Sequence, residues 1–507
     1  MERYFLGIDQ GTTGTTALLL DHRWNVAASR TVEHAQICPM PGWVEHDPEE
    51  IWAAVQTAAS DVLRAVGASP SQVVSIGIDN QGETCALWNR RTGKPIYNAI
   101  VWQDRRTAEY ADELKKTYGR AIKEKTGLGP DAYFSATKLK WILDNVEGAR
   151  EMAAKGEILA GTLDTYIIWR FTGGKAFVTD PSTASRTMMM DLKKAEWDQE
   201  LLDIYGIPGK ILPEIRDSAE AYGYTTGETF FGERKPVAAC LTDGVSALLA
   251  QGCLDAGDIK TSYGTGCFMY TNLGSEVRYS DSLITVASWR IGGKINYAFD
   301  GGVYIAGAAV QWLRDKMRLI GSAAETETVS MSVPDTGGVY FVPAFVGLAA
   351  PIWDQYARGT IVGITGNTTS AHLVRATLES IAFQVYDNAM AMKAASGHDF
   401  SVMKVDGGAV VNRFLMQFQA DILAKPVNVP VVTEMTAFGA AWTAALAMGE
   451  FGSLQDIKRI WKLQRRYEPH MREDERAEKL EQWHRAVERA RGWIIPDKEK
   501  RRGSVNV

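Results

Sequence analysis

The chain has 507 residues, 46% of them hydrophobic and 23% charged, enough for two large domains or about three ordinary ones with substantial cores. Its formal charge of −6 argues against a nucleic-acid footprint, which needs a basic patch. Cys38, Cys85, Cys240, Cys253 and Cys267 are scattered and odd in number, which disfavours a disulfide framework or zinc site and suits a reducing compartment. No run approaches the roughly 18 apolar residues of a spanning helix. The first residues lead into no signal-peptide apolar region, so a cytoplasmic protein without membrane contact is expected.

The first stretch that suggests chemistry is YFLGIDQGTTGTTALLLD, Tyr4 to Asp21. An apolar run ends in Asp9, crosses Gly11, Thr12, Thr13 and Gly14, and resumes at Ala17, a pattern that predicts a β-hairpin. Glycine lets backbone N–H groups approach an anion, and threonine adds hydroxyl donors. A carboxylate facing such a cradle is where a magnesium–nucleotide complex needs one. An ordinary hairpin with a polar tip explains the same residues.

Asp47, Pro48, Glu49 and Glu50 then read as a helix start, with Ile51, Val55, Ala58, Val62 and Val66 on its core face. Val73 to Thr84 is a buried-strand pattern ending in Asp79, Asn80, Gln81, Gly82 and Glu83. Open α/β sheets place their ligands just beyond such strand ends, although a polar loop is the plainer reading. Trp102, beside Asp104, Arg105 and Arg106, is core filler or the apolar wall of a carbohydrate site. Tyr133 and Phe134 precede a helix for which Ser135 is a candidate cap. Residues 176–232 read as loops and short helices.

The run KPVAACLTDG delivers Asp243 to a glycine turn before a helix, as a general base or as a helix cap. DIKTSYGTGCFMYTN, Asp258 to Asn272, then repeats the opening hairpin, with Gly264, Thr265 and Gly266 at its tip. VMKVDGGAVVNRFLMQFQADIL likewise repeats the strand into Asp79 and its loop. Paired echoes of this kind predict two halves of one ground plan, each with a phosphate hairpin, and a nucleotide in the cleft between them. Further helices are expected after Gly307, around Leu378 to Ala389, and at Gly439 to Ala441, where small residues permit close backbone approach. The charged end from about Glu468 reads as helical, with PDKEKRRGSVNV fraying.

The strings GIDQGTTGTTA, PGWVEHDP, GKPIYNAIVWQDRRT, YFSATKLKWILD, SYGTGCFM, IAGAAVQWLRD, ATLESIAFQ and VDGGAVVNRFLMQFQADIL, in this order, resemble the FGGY carbohydrate-kinase family and its glycerol kinases. The resemblance implies a duplicated actin-like (ribonuclease H-like) α/β fold: an N-terminal domain over 1–249, a nucleotide-binding domain over 250–470, and a helix and tail over 471–507. It also implies ATP and Mg2+, with Asp9 and Asp243 as metal carboxylates and Asp243 as general base. Thr12, Thr13, Gly14, Thr265, Gly307, Gln311, Gly408 and Asn412 match the family's nucleotide contacts, and Glu83, Trp102, Tyr133 and Phe268 its acceptor pocket.

Three positions depart from the family pattern. NQRET reads NQGET, so Gly82 stands where glycerol kinases carry a substrate-binding arginine. GDQQ reads TDGV, so Gly244 replaces a glutamine, and Thr16 stands where the first hairpin usually has an arginine. Gly82 and Gly244 remove large polar side chains from the acceptor end, which leads to the expectation of a four- or five-carbon polyol or ketose as acceptor. Glycerol itself is the alternative, with other side chains filling the space. An actin-like ATPase without a sugar substrate is a more remote reading, disfavoured by the pocket residues. A homo-oligomer, dimer or tetramer, is also expected.

Overall fold

In the computed structural model, which describes residues 2–495, the apolar runs pair into two large sheets. The first holds β1 (Tyr4–Gln10), β2 (Gly14–Asp21), β3 (Val26–Glu33), β4 (Val73–Asn80), β5 (Ala219–Tyr224) and β6 (Pro236–Thr242), in the order β5-β6-β4-β1-β2-β3. The second holds β7 (Ile259–Tyr263), β8 (Cys267–Gly274), β9 (Ile284–Ile291), β10 (Lys294–Val303), β11 (Met403–Asp406), β12 (Val427–Pro430) and β13 (Leu463–Tyr467). Its order is β9-β10-β8-β7-β11-β12-β13.

Within these, β3-β2-β1-β4-β6 and β10-β8-β7-β11-β12 share one order and one set of directions. In each, a hairpin strand runs antiparallel to its neighbour and parallel to the strand on its other side. This is the duplicated plan expected from the paired motifs, and the actin-like fold that the family resemblance implies.

The helices follow from local chemistry. α1 (Pro48–Ala65) starts at Asp47, whose carboxylate accepts the Glu49 N–H at 2.8 Å, and it buries Ile51, Val55, Ala58 and Val62. α2 (Ser135–Asn145), α3 (Asp243–Ala250), α4 (Gly307–Asp315), α5 (Ser370–Ser396), α6 (Arg413–Leu423), α7 (Met435–Ala447) and α8 (Glu473–Ala490) complete the set used below. α5 buries Leu378, Ile381, Ala382, Val385 and Ala389 as its periodicity predicts. The charged α8 is anchored by Trp483, which stacks on Phe383 and donates to Asp387 at 2.7 Å. Residues 496–507, expected to fray, lie outside the described residues.

The two halves are clasped by α7, which follows β12 yet lies on the first sheet. Gly7 on β1 and Gly77 on β4 are register partners. A Cβ added at Gly7 would lie 2.0 Å from the Ala437 carbonyl oxygen, and one at Gly77 would lie 1.9 Å from that of Ala440. On its other side α7 meets α3, where a Cβ at Gly439 would lie 2.2 Å from the Ser246 carbonyl. Close backbone approach replaces side-chain interdigitation here.

Two local expectations change. Residues 176–232 are not only loops and short helices, because Ala219–Tyr224 forms β5, antiparallel to β6 at the sheet edge. Its mixed, half-exposed sequence AEAYGY lacks an apolar run to announce it. Ser135 does not cap α2; its hydroxyl donates to the Glu83 carbonyl at 3.1 Å. No helix among the described residues is long and apolar enough to cross a membrane.

Overpacking the clasp should be costly. Gly77→Ala is expected to destabilise the protein by about 1–3 kcal/mol, as inserted methyl groups do in close-packed cores. Thermal unfolding measures this against Gly129→Ala, whose added methyl meets only open space and leaves stability unchanged.

Candidate active site

The opening hairpin turn is closed by the Gly11 N–H donating to the Gly14 carbonyl at 3.0 Å. The Thr12 hydroxyl accepts from the Trp102 indole at 2.8 Å, and the Thr12 carbonyl accepts from the Gln36 amide at 2.7 Å. The Thr13 carbonyl accepts the His34 N–H at 3.3 Å. Gly14 opens β2, and Thr13 is exposed. Thr16 does not reach from the hairpin; its hydroxyl pairs with that of Thr31 at 2.9 Å.

The second hairpin has the matching closure, Gly264 N–H to Gly266 carbonyl at 2.9 Å. Its tip receives the start of α4: the Gly264 carbonyl accepts from Gly307, and the Thr265 carbonyl from Ala306 and Ala308. A Cβ at Gly307 would lie 2.6 Å from the Gly264 oxygen, so glycine is what lets the helix start on the hairpin. Gln311, one turn further along α4, is exposed. Gly408 is in open space after β11. Asn412 is engaged within the protein: its oxygen caps α6 through the Leu415 N–H at 2.9 Å, and its amide donates to Thr326 at 3.0 Å.

Three carboxylates gather where β1, β4 and β6 end. Asp9 and Asp79 are register partners on adjacent parallel strands, and Asp243 opens α3 directly after β6. Asp9 accepts a 2.7 Å hydrogen bond from Thr436, which α7 brings across from the second half. Burial raises the Asp9 pKa. Asp79 is pushed well above the usual carboxylate range by burial and then by the Asp9 and Asp243 charges. Neither Asp79 oxygen has a hydrogen-bond partner among the described residues. Asp243 is pushed up to about 7, first by burial, then by Glu83 and Asp9, against the Gly244 N–H that its carboxylate accepts.

No three His, Cys, Asp or Glu side chains among the described residues could hold a metal ion alone. Magnesium needs less, because it is ordinarily held by one or two carboxylates together with substrate phosphates and water. Asp9 and Asp243 fit that demand.

The acceptor-side residues come from a smaller sheet of Glu45–His46, Ala99–Ile100, Cys85–Asn89 and Ile158–Thr162. Glu83 precedes one of its strands, Trp102 follows another, and Tyr133 stands two residues before α2. The Trp102 and Tyr133 rings meet edge to face with centroids 5.7 Å apart. The Trp102 loop is held by Arg106, buried between Trp43 and Trp141 and paired with Glu45 at 2.7 Å and Asp104 at 2.8 Å. Phe268 lies on β8, 36% exposed, two residues from Tyr270 and hence on the same face.

The space beside Gly82 and Gly244 is filled, which corrects the expectation that these glycines enlarge the pocket. A Cβ at Gly82 would lie 2.6 Å from Thr242 Cγ2 and 3.0 Å from Arg186 Cγ. A Cβ at Gly244 would lie 2.3 Å from the Tyr270 ring. Arg186 Nε donates to Glu83, its Nη1 donates to Asp300 at 2.7 Å, and its Nη2 donates to the Tyr133 hydroxyl at 3.3 Å. Sequence reasoning missed Arg186, Asp300, Tyr270 and Thr436; Asp300 ends the apolar run YAF before Gly301 and Gly302, a signature like that of the other strand-end carboxylates, whereas Arg186 and Thr436 carry no such local signal. A departure such as Gly82 was the one available signal that another residue must fill its space.

Two sheets of one plan, each with a Gly/Thr hairpin, and three carboxylates gathered at the strand ends of the first, define a phosphotransferase of the actin-like class. The N-terminal domain of the FGGY family of carbohydrate kinases matches residues 4–250, and the C-terminal domain of that family matches residues 259–448. Glycerol kinase 2 of Thermotoga maritima is 52% identical over 97% of this chain and 99% of its own length. Glycerol kinase of Carboxydothermus hydrogenoformans is 51% identical over 98% of this chain and 100% of its own. The crystal structure of Plasmodium falciparum glycerol kinase with ADP superposes with a TM-score of 0.90 at 35% identity, covering 96% of this chain and 98% of that one. The chain therefore belongs to the FGGY family of carbohydrate kinases. It is an ATP-dependent phosphotransferase acting on a sugar or polyol.

The fit between Gly244 and Tyr270 is open to test by a double-mutant cycle. Gly244→Ala should destabilise the protein, and Tyr270→Leu should relieve part of that loss. The two changes should couple by about 0.5–3 kcal/mol, as contacting residues do. Thermal unfolding of both single variants and the double variant measures the coupling.

Proposed function

We propose that the enzyme transfers the γ-phosphoryl group of ATP to a terminal hydroxyl of glycerol. The observation that carries this reading is the filled acceptor end: Thr242 and Arg186 crowd an added methyl at Gly82, and Tyr270 crowds one at Gly244, so the glycines create no space for a longer acceptor. The full-length relatives that are half identical to this chain bear the name glycerol kinase, in accord with a three-carbon acceptor.

Alcohols are weak nucleophiles, so a carboxylate must accept the proton as the hydroxyl attacks. Asp243, at the carboxyl end of β6 and raised to about 7, is the residue assigned that role. The acceptor lies against Trp102, Tyr133 and Phe268, with Glu83 as a polar partner. Backbone N–H groups of the two hairpins, with Thr12, Thr13 and Thr265, hold the nucleotide phosphates and offset charge on the transferring group. Asp9 and Asp243 would hold the magnesium that accompanies ATP, which would supply further compensation of phosphate charge. Gly307 admits α4 to the second hairpin, while Gln311 and Gly408 border the nucleotide. Asn412, engaged as a helix cap, acts indirectly by fixing the turn after β11.

Two results are expected. Asp243→Asn should abolish phosphoryl transfer while ADP binding, followed by calorimetry, persists; appreciable turnover in that variant would remove Asp243 from the base role. In the unmodified enzyme, protonation of Asp243 below about 7 removes the base, so kcat/KM for the acceptor should fall as pH drops through that value. A steady-state panel of glycerol, erythritol, threitol, erythrulose and pentitols tests the acceptor. A kcat/KM advantage for any four- or five-carbon compound over glycerol would overturn the proposal.

A further inference from the structure

Arg186 carries a guanidinium that is almost wholly buried, at 3% side-chain exposure, on a loop just after the short helix Pro181–Ala184. A buried charge is costly to keep unless it is paired, and Arg186 has two acidic partners, Glu83 and Asp300. They reach it from opposite halves of the molecule: Glu83 follows β4 and Asp300 lies on β10. The guanidinium also lies over the Tyr133 ring at 5.6 Å and over the Phe134 ring at 5.7 Å. Its orientation is thus set by two ion pairs and two aromatic faces.

A guanidinium has five N–H donors, of which three are used here, by Glu83, Asp300 and Tyr133. The remaining N–H groups have no partner among the described residues. Glu83 and Asp300 each bond the guanidinium through one oxygen and keep a second available to accept. A hydroxyl both donates and accepts, so a fixed guanidinium between two carboxylates is suited to a polyol. The stem of Arg186 borders the place where a side chain at residue 82 would begin, its Cγ 3.0 Å from a Cβ added there, with Thr242 Cγ2 nearer still at 2.6 Å.

We propose that Arg186 is an acceptor-binding residue of this enzyme, its guanidinium taking up, with Glu83 and Asp300, the hydroxyls that are not phosphorylated. It thereby supplies from the Pro181 loop the donor that Gly82 lacks, and Gly82 is the condition for its entry. The inference rests on the glycerol reading and names the group that selects for the acceptor's spare hydroxyls.

The test compares glycerol with propane-1,2-diol and propane-1,3-diol, each lacking one hydroxyl. Unmodified enzyme should prefer glycerol over both. Arg186→Met should lose roughly ten- to a hundredfold in kcat/KM for glycerol, the range of a lost charged hydrogen bond. It should lose much less on at least one diol, so the preference collapses, while the KM for ATP and the affinity for ADP stay unchanged. A merely structural role would depress all three acceptors equally and leave their ratios intact, and that result, or no loss at all, overturns the inference. If Arg186→Met fails to bind ADP through misfolding, Arg186→Lys is read in the same way. It keeps a cation between the carboxylates but loses the planar fork, so the preference must still shrink. If the unmodified enzyme does not phosphorylate glycerol, the functional reading itself falls; if it does and neither variant alters the acceptor ratios, only the assignment of Arg186 falls.

Discussion

The contact on which the rest of this structure depends is the seating of α7 on the paired glycines of β1 and β4. Carbonyl oxygens of Ala437 and Ala440 lie where side chains of Gly7 and Gly77 would otherwise stand. Helix and sheet therefore meet backbone to backbone, and the second half of the chain becomes part of the first half's core. One consequence is chemical. Thr436, in the first turn of α7, reaches Asp9 and donates to it at 2.7 Å. A carboxylate buried at a strand end is held in place by a residue from the opposite half, so its position is tied to the packing of the two halves. α3 and α7 also pack against each other at Gly439 and Ser246, which leaves the clasp little slack.

Around that clasp, like charges are brought together on purpose. Asp9, Asp79 and Asp243 converge where three parallel strands end; burial raises all three, and neighbouring carboxylates raise Asp79 and Asp243 further. A site prepared to receive a cation and a polyphosphate carries such an excess of negative charge until they arrive. The acceptor side solves the opposite problem. There a buried arginine is balanced by Glu83 and Asp300, and the aromatic rings of Trp102 and Tyr133 supply an apolar wall.

The two hairpins and the strand-end carboxylates were legible in the sequence because their patterns are local. Asp9 and the Gly11 to Gly14 turn are consecutive, as are Gly264 to Gly266, and strand–turn–strand patterns of this kind declare themselves over short windows. The repeat of the same pattern made the duplicated architecture readable, and the two sheets carry it out strand for strand. β5 was not legible, because an edge strand with mixed polarity has no periodic signature. Asn412 illustrates a different limit: its position after the Asp-Gly-Gly turn was plain, but its engagement as a helix cap depends on the direction of α6.

The acceptor end was misread for a definite physical reason. A glycine in place of a large side chain implies empty volume only if nothing else moves in. Arg186 lies 103 residues from its partner Glu83, and Thr436 lies 427 residues from Asp9, distances over which no sequence pattern specifies contact. The strands of the two hairpins, the carboxylate at the end of β6 and the family could be read along the chain, because each depends on residues that are neighbours in it. What stands beside Gly82 and Gly244 could be read only from the folded chain, because close packing lets distant side chains claim any volume that a local substitution gives up.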